Sequence, residues 1–123
     1  MSKLNDNLRK IYLFYKRKKL NNTTFSLISS NCNGGIIYHD LGLQFTSPTI
    51  NLWIPPKDFV NFCKYLREYV NTELLFDNEL SKINNYPVGI LKPENQSLPI
   101  IHIYFMHYNS NKNAKEKWDT RKI

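Results

Sequence analysis

The sequence predicts an α/β fold: a layered α/β/α domain built on a mixed, largely parallel sheet. From residue 23 onward, short runs rich in β-branched and aromatic residues alternate with segments of helical periodicity. The chain has 123 residues, which is enough for one domain with a modest core. Its seven Phe and eight Tyr supply the apolar surface that a folded protein needs. We therefore expect a leading helix over residues 1–20 and a single α/β domain over residues 21–123.

Residues 1–20 are predicted to form a basic amphipathic helix. They contain seven Lys or Arg against one acidic residue, a net charge of +6, whereas the rest of the chain is nearly neutral. Apolar side chains recur in this segment at helical spacing, at Leu4, Leu8, Ile11, Tyr12 and Tyr15. We favour a helix that packs on the domain and ends in solvated bases, because basic helix ends are ordinary. The alternative is a helix that lies on an anionic membrane surface, and no motif supports specific binding of nucleic acid.

The first half of the domain is predicted to contain two strands and two helices. Residues 23–29 form an apolar strand, and residues 35–41 form a short helix that Gly42 ends. Residues 50–54 are rich in β-branched and aromatic side chains and form the second strand. Two prolines at 55–56 then open the clearest helix, because proline is favoured in a first helical turn. The apolar stripe of this helix comprises Phe59, Phe62, Cys63, Leu66 and Val70. Because Cys63 lies on this stripe, we expect it in the core among Phe59, Phe62 and Leu66.

The second half of the domain is predicted to contain three strands and a closing helix. Residues 72–76 and 86–91 are short apolar runs, and residues 98–107 form the longest one. Residues 78–85 are polar and are predicted to form a turn. Residues 111–121 then show the spacing of a helix.

The sequence lacks the features of several protein classes. No run of about 18 apolar residues could span a membrane, and residues 1–7 lack the apolar core of a secretory signal. We therefore predict a cytoplasmic protein with two free thiols, which could contact the inner membrane face through residues 1–20. No glycine loop for nucleotides and no compact His or Cys spacing for a metal is found in the sequence. Neither a cofactor nor a metal is predicted.

A thiol at the end of the first predicted strand marks the candidate site. Cys32 follows the run 23–29 and precedes Gly34 and Gly35, where a helix starts. The sites of α/β proteins gather where strands end and helix N-termini point. Free amides at a helix start favour the thiolate, which is the nucleophilic form. Cys32 is thus a candidate nucleophile, and the amides of Gly34 and Gly35 could hold developing charge.

The alternative for Cys32 is a small buried cysteine beside a glycine turn, which is a common arrangement. His107 is the candidate base, since it ends the last predicted strand. That pairing requires the runs 23–29 and 98–107 to lie side by side in parallel, so that their ends share one edge of the sheet. His102 has the opposite parity in its strand and is predicted to be a hydrogen-bonded interior residue.

Several stretches and single residues of the sequence form an ordered pattern: FSLISSNCNGG at 25–35, Tyr38, LGL at 41–43, SPT at 47–49, YPVG at 86–89, IHIYFMHY at 101–108, Ala114, Lys117, Trp118 and Arg121. In matching order over roughly residues 16–121, this pattern resembles one bacterial family of unknown function, DUF1919. Members tend to be described as exopolysaccharide biosynthesis proteins and to occur with capsule or lipopolysaccharide genes, so the resemblance implies a role in cell-surface polysaccharide biosynthesis. Where the family usually has a tryptophan after the cysteine, this chain has Asn33. Similar proteins also continue past the last helix, so we expect the domain to be incomplete at its C-terminus.

Two classes of function fit this resemblance. The first is an enzyme of glycan assembly, a transferase or hydrolase, with Cys32 as its nucleophile and His107 as its base. The second is a non-catalytic glycan-binding or partner module, or an inactive fragment. In both, the ligand would be a sugar or a sugar phosphate, contacted by Asn31, Gly34, Gly35, Tyr38, His102 and Tyr108. A reactive and exposed Cys32 thiol would favour the enzyme.

Overall fold

The computed structural model describes residues 3–122, in which helices are interspersed with short strands. In chain order, the elements are α1 Lys3–Lys18, α2 Asn33–Asp40, α3 Pro56–Lys64, α4 Leu66–Val70, β1 Leu74–Phe76, α5 Asn78–Asn84, β2 Val88–Leu91, β3 Ile101–Tyr104 and α6 Asn111–Arg121. The fold is therefore α/β in its broad class, as the sequence predicts. The three strands lie inside three of the predicted strand segments, and α6 has the predicted bounds.

The three strands form one antiparallel sheet in the order β1-β2-β3. Leu91 of β2 pairs with Leu74 on one side and with Ile101 on the other. The largely parallel sheet predicted from the sequence is wrong, and the α/β/α layering is not supported. The reason lies in the connection, because residues 92–100 return directly from β2 to β3. A parallel pair needs a crossover of about a dozen residues or more.

A hydrophobic core covers one face of this sheet. Ile101 and Ile103 of β3 are buried in it, whereas His102 and Tyr104 lie on the opposite face and are half-buried. Side chains from α3, α4 and α6 complete the cluster, namely Phe62, Tyr69, Ala114 and Trp118. These helices stabilise the sheet because they remove its apolar face from water.

Residues 23–29, predicted as the first strand, lie outside the sheet. Their backbone groups bond to side chains rather than to a neighbouring strand. Leu27 N–H donates to the Tyr38 hydroxyl at 2.6 Å, and Ser29 N–H donates to Thr49 Oγ1 at 3.1 Å. The predicted parallel pairing of this segment with the last strand is therefore wrong.

Residues 50–54, predicted as the second strand, join the sheet at one point. Trp53 and Tyr104 exchange two backbone hydrogen bonds, of 2.9 and 2.8 Å, in an isolated antiparallel bridge. The rings of the two residues also contact each other, with their centres 5.2 Å apart. This segment therefore extends the edge of β3 without forming a strand.

The polar segment 78–85, predicted as a turn, is mostly helix α5. Asp77 caps this helix, since its carboxylate accepts a hydrogen bond from Leu80 N–H at 2.9 Å. Asn85 ends the helix in the left-handed conformation, with φ at 61°. An Asp before a segment and an Asn after it are signals for helix ends, and here they outweigh the polar composition.

The predicted helix after the two prolines is broken into α3 and α4. Tyr65 between them leaves helical geometry, with φ −122° and ψ 45°. Phe62 is buried but Cys63 is exposed, so the prediction that Cys63 lies in the core is wrong. Adjacent helical residues point about 100° apart, and the break at Tyr65 prevents the apolar stripe from continuing in one line.

Two arginines connect α1 to the domain. Arg9 Nη2 donates to the Asp40 carboxylate at 2.9 Å, and Arg17 Nε donates to the Asp40 carbonyl at 2.8 Å. None of the residues of α1 is buried. Within residues 3–122, no helix combines the length and the hydropathy needed to cross a membrane.

Candidate functional site

Cys32 lies immediately before helix α2. It occupies the N-cap position with dihedral angles of φ −70° and ψ −8°, and its side chain makes no capping hydrogen bond. The Asn31 side-chain oxygen instead accepts a hydrogen bond from Asn33 N–H at 2.9 Å. Cys32 is half-buried and is not part of a disulfide. The loop thus places a thiol at a helix start, although no strand leads into it.

Gly34 and Gly35 make room for neighbouring side chains at the start of α2. A Cβ atom on Gly34 would lie 2.8 Å from the Cβ of Ser29, and one on Gly35 would lie 2.5 Å from Oδ1 of Asn51. Gly34 N–H also donates to the Ser29 hydroxyl at 3.3 Å. Close packing therefore explains both glycines, and the Gly34 amide is already engaged within the protein.

Tyr38 is fully buried and organises the segment on which it packs. Its hydroxyl accepts the hydrogen bond from Leu27 N–H and lies 3.3 Å from Thr46 Oγ1. Its ring stacks on Phe25, with the ring centres 6.3 Å apart. Tyr38 thus packs and hydrogen-bonds within the fold, and its contact with a substrate stays a prediction.

The two histidines of the last predicted strand have different surroundings. His102 is half-buried in β3, and its backbone N–H donates to the Asp58 carboxylate at 3.0 Å. His107 is exposed in the turn that follows β3. No hydrogen bond joins His107 to Cys32 within residues 3–122, and the parallel strands that would have aligned them are absent. The catalytic pair therefore stays a prediction that no contact supports.

Tyr108 links the loop before α3 to helix α6. Its hydroxyl donates to the Ile50 carbonyl at 2.8 Å and accepts from Arg121 Nη1 at 3.1 Å. Burial raises the pKa of the Tyr108 hydroxyl, Arg121 opposes this rise, and the nearby Cys32 adds to it. Tyr108 is thus protonated at neutral pH, and Cys32 is near enough to interact with it electrostatically.

Arg121 also lines a cleft of about 600 Å³. We call this the basic cleft and define it by the residues that line it: Ser26, Ile28, Thr46, Pro48, Leu66, Arg67, Val70, Asn71, Arg121 and Lys122. Three of these residues are cationic and none is acidic. The Arg121 guanidinium lies 5.4 Å from the centre of the Phe45 ring. This contact and the hydrogen bond to Tyr108 together restrict the orientation of the guanidinium.

The cations of the basic cleft differ in how far the protein neutralises them. Arg67 is exposed, and its side chain makes no hydrogen bond or ion pair with the part of the chain that the structure describes. Lys122 Nζ lies 3.3 Å from the Asp119 carboxylate. Arg121 donates a hydrogen bond to the Tyr108 hydroxyl, which is neutral and does not compensate the charge of the guanidinium. The cleft therefore keeps uncompensated positive charge and can attract an anion.

Sequence reasoning missed the basic cleft because its polar residues come from separate elements. Ser26 precedes α2, Arg67 lies on α4 and Arg121 lies at the end of α6. One signal was available, since Ser26 and Arg121 both fall in the pattern of the family resemblance. For metals, no group of three or more His, Cys, Asp or Glu side chains within residues 3–122 is arranged to hold an ion.

Comparison with known proteins finds two similarities. A family model described as "Domain of unknown function (DUF1919)" matches residues 4–123. An uncharacterized protein of Haemophilus influenzae is 37% identical over 105 residues, which cover 85% of this chain and 46% of that protein. The chain thus spans about half the length of the curated relative that it matches.

Proposed function

The chain belongs to the DUF1919 family, and from the chemistry of the basic cleft we propose that it binds a phosphorylated sugar during cell-surface polysaccharide biosynthesis. The observation that carries the proposal is the set of three cations and two hydroxyl side chains, with no acidic residue, around about 600 Å³. The glycan context comes from the family resemblance. A cytoplasmic location would suit the two free thiols, because reducing conditions keep thiols unpaired.

Charge, donors and size together favour this class of ligand. Guanidinium groups match the geometry of phosphate oxygens and bind them through paired N–H donors. Ser26, Thr46 and Asn71 offer hydroxyl and amide groups that can hydrogen-bond a sugar. Small-molecule clefts usually measure about 300–1,000 Å³, a range that includes the basic cleft.

Titration with defined ligands tests the proposal. We expect glucose 1-phosphate to shift the amide NMR signals of the residues that line the basic cleft, and glucose to leave them unchanged. Arg67→Gln removes an uncompensated cation and should weaken glucose 1-phosphate binding about tenfold or more. Lys82→Gln removes one charge from an exposed position of α5. This matched control should leave the affinity unchanged.

Two outcomes would contradict the proposal. Binding of glucose 1-phosphate that persists unchanged in both Arg67→Gln and Arg121→Gln would place the ligand outside the basic cleft. Inorganic phosphate that binds as tightly as glucose 1-phosphate would show that the cleft recognises the anion alone, without the sugar.

A second candidate function is transferase or hydrolase chemistry at Cys32. One observation favours it: Cys32 interacts electrostatically with Tyr108, whose hydroxyl accepts a hydrogen bond from Arg121 of the basic cleft. If the thiol is the nucleophile, the protein should turn over a sugar phosphate or nucleotide sugar. Cys32→Ser should then stop turnover without changing the affinity, and His107→Ala should slow it. Binding without turnover in the unmodified protein would leave a non-catalytic glycan-binding module.

A further inference from the structure

Helix α1 exposes a continuous apolar stripe. Five side chains at helical spacing are each more than half exposed, and we call them the α1 stripe: Leu4, Leu8, Ile11, Tyr12 and Tyr15. A helix on a globular protein normally turns such a stripe toward the core. An uncovered apolar surface of this kind marks a site of interaction.

The α1 stripe points away from the domain. Arg9, Leu13 and Arg17 recur every four residues on one side of α1. Both arginines donate to Asp40, Arg17 also donates to the His39 carbonyl, and Leu13 lines the groove between α1 and these residues. With 3.6 residues per turn, that side lies roughly 160° around the helix from the centre of the α1 stripe. The domain therefore holds α1 through the side that carries Arg9 and Arg17 and leaves the α1 stripe uncovered.

Lysines border the α1 stripe near the C-terminal end of the helix. Their ammonium groups lie over aromatic rings, 4.5 to 5.4 Å from the ring centres, in three pairs: Lys16 over Tyr12, Lys18 over Phe14 and Lys19 over Tyr15. Helices that lie in a membrane interface combine these features, because the ring sits at the apolar boundary while the long lysine reaches the headgroups.

We propose that the α1 stripe docks the protein on an anionic membrane surface. Residues 1–20 carry a net charge of +6, which complements anionic headgroups and strengthens the apolar contact. Pairing of two stripes would bring two segments of net charge +6 against each other, so the same charge disfavours a second copy as the occupant. The proposal goes beyond the binding of a phosphorylated sugar and does not depend on it.

Vesicle flotation of the full chain tests this docking. We expect binding to vesicles of phosphatidylcholine and phosphatidylserine, little binding to phosphatidylcholine alone, and release at about 1 M salt, where the Debye length is about 3 Å. Replacement of Lys16, Lys18 and Lys19 by glutamine should weaken binding to the anionic vesicles roughly 100-fold. A control with the same loss of charge should retain most of the binding. It replaces three exposed lysines of α5 and α6 by glutamine: Lys82, Lys112 and Lys117.

Ile11→Ser tests the apolar part of the contact. Ile11 is 67% exposed, so the substitution should leave the circular dichroism spectrum unchanged and weaken vesicle binding about tenfold. Equal binding to both vesicle types, binding that salt does not change, or no binding at all would overturn the proposal. A dimer in light scattering that Ile11→Ser dissociates would also overturn it, since a second copy would then cover the stripe. A parallel titration with glucose 1-phosphate separates the two proposals, because none of these residues lines the basic cleft.

Discussion

Single side-chain hydrogen bonds hold residues 23–29, and the shortest of them joins Leu27 N–H to the Tyr38 hydroxyl at 2.6 Å. Tyr38→Phe leaves that donor unpaired in a part-buried place, which should cost about 1–3 kcal/mol of unfolding free energy. Urea denaturation measures the loss. Tyr86→Phe is the control, since its hydroxyl lies 3.4 Å from Asn84 Oδ1 and should change stability by less than about 0.5 kcal/mol. Equal losses in the two variants would contradict the role of Tyr38.

A second prediction at the residue scale concerns the thiol of Cys63. Although Cys63 is exposed, its neighbours partly desolvate the thiol and raise its pKa above the ordinary value, which lowers the fraction of thiolate at neutral pH. In a Cys32→Ser background, the rate of alkylation by iodoacetamide should rise with pH through a midpoint above that of the unfolded chain in guanidinium. The reverse order of the two midpoints would show that the folded protein stabilises the thiolate.

The position of Cys32 at a helix start could be predicted from the two glycines that follow it, because helix starts leave local signals in the sequence. The residues that surround Cys32 in the folded protein could not be predicted in this way. Gly35 packs against the Asn51 side chain, and the Tyr108 hydroxyl accepts a hydrogen bond from Arg121 of α6. These contacts join residues far apart in the chain, so no local pattern reports them.

At the scale of elements, α5 depends on its cap. Asp77→Ala removes the acceptor for Leu80 N–H and should lower the unfolding free energy by about 1 kcal/mol. Asp77→Asn keeps a side-chain oxygen in place, so it should lower the unfolding free energy much less. Thermal or urea unfolding of the two variants measures the difference. A similar loss in both would assign the effect to the charge of Asp77 rather than to the cap.

The helices α2, α3 and α6 could be predicted because their start and stop signals lie beside them, as with Gly42 after α2 and Pro56 at the start of α3. Composition does not report the direction in which strands pair. The short connection over residues 92–100 does, because it leaves no room for a parallel crossover. The run 23–29 has the composition of a strand, but hydroxyls of Thr46 and Thr49 satisfy its backbone. Hydrogen bonds to side chains about 20 residues away, such as the one from Ser29 to Thr49, thus take the place of the expected backbone hydrogen bonds to a neighbouring strand.

At the scale of the whole molecule, the main core belongs to the C-terminal part of the chain. Every buried member of the cluster falls between Leu52 and Trp118. Amides of β2 and β3 should therefore exchange with deuterium more slowly than those of residues 21–30, by more than about two orders of magnitude. Hydrogen exchange followed by mass spectrometry measures both groups in one sample. Comparable protection of the two groups would mean that the N-terminal part and the core open together.

The place of the core along the chain also sets an order of events during synthesis. Ribosomes add about 5–20 residues per second, so synthesis of the segment between Leu52 and Trp118 is completed roughly 3–13 s after that of residues 3–51. During that interval the apolar side chains of the early segment have no folded core beside them. The nascent chain thus passes through a stage in which holdase chaperones can recognise its N-terminal part, before Ile28 can pack against the main core.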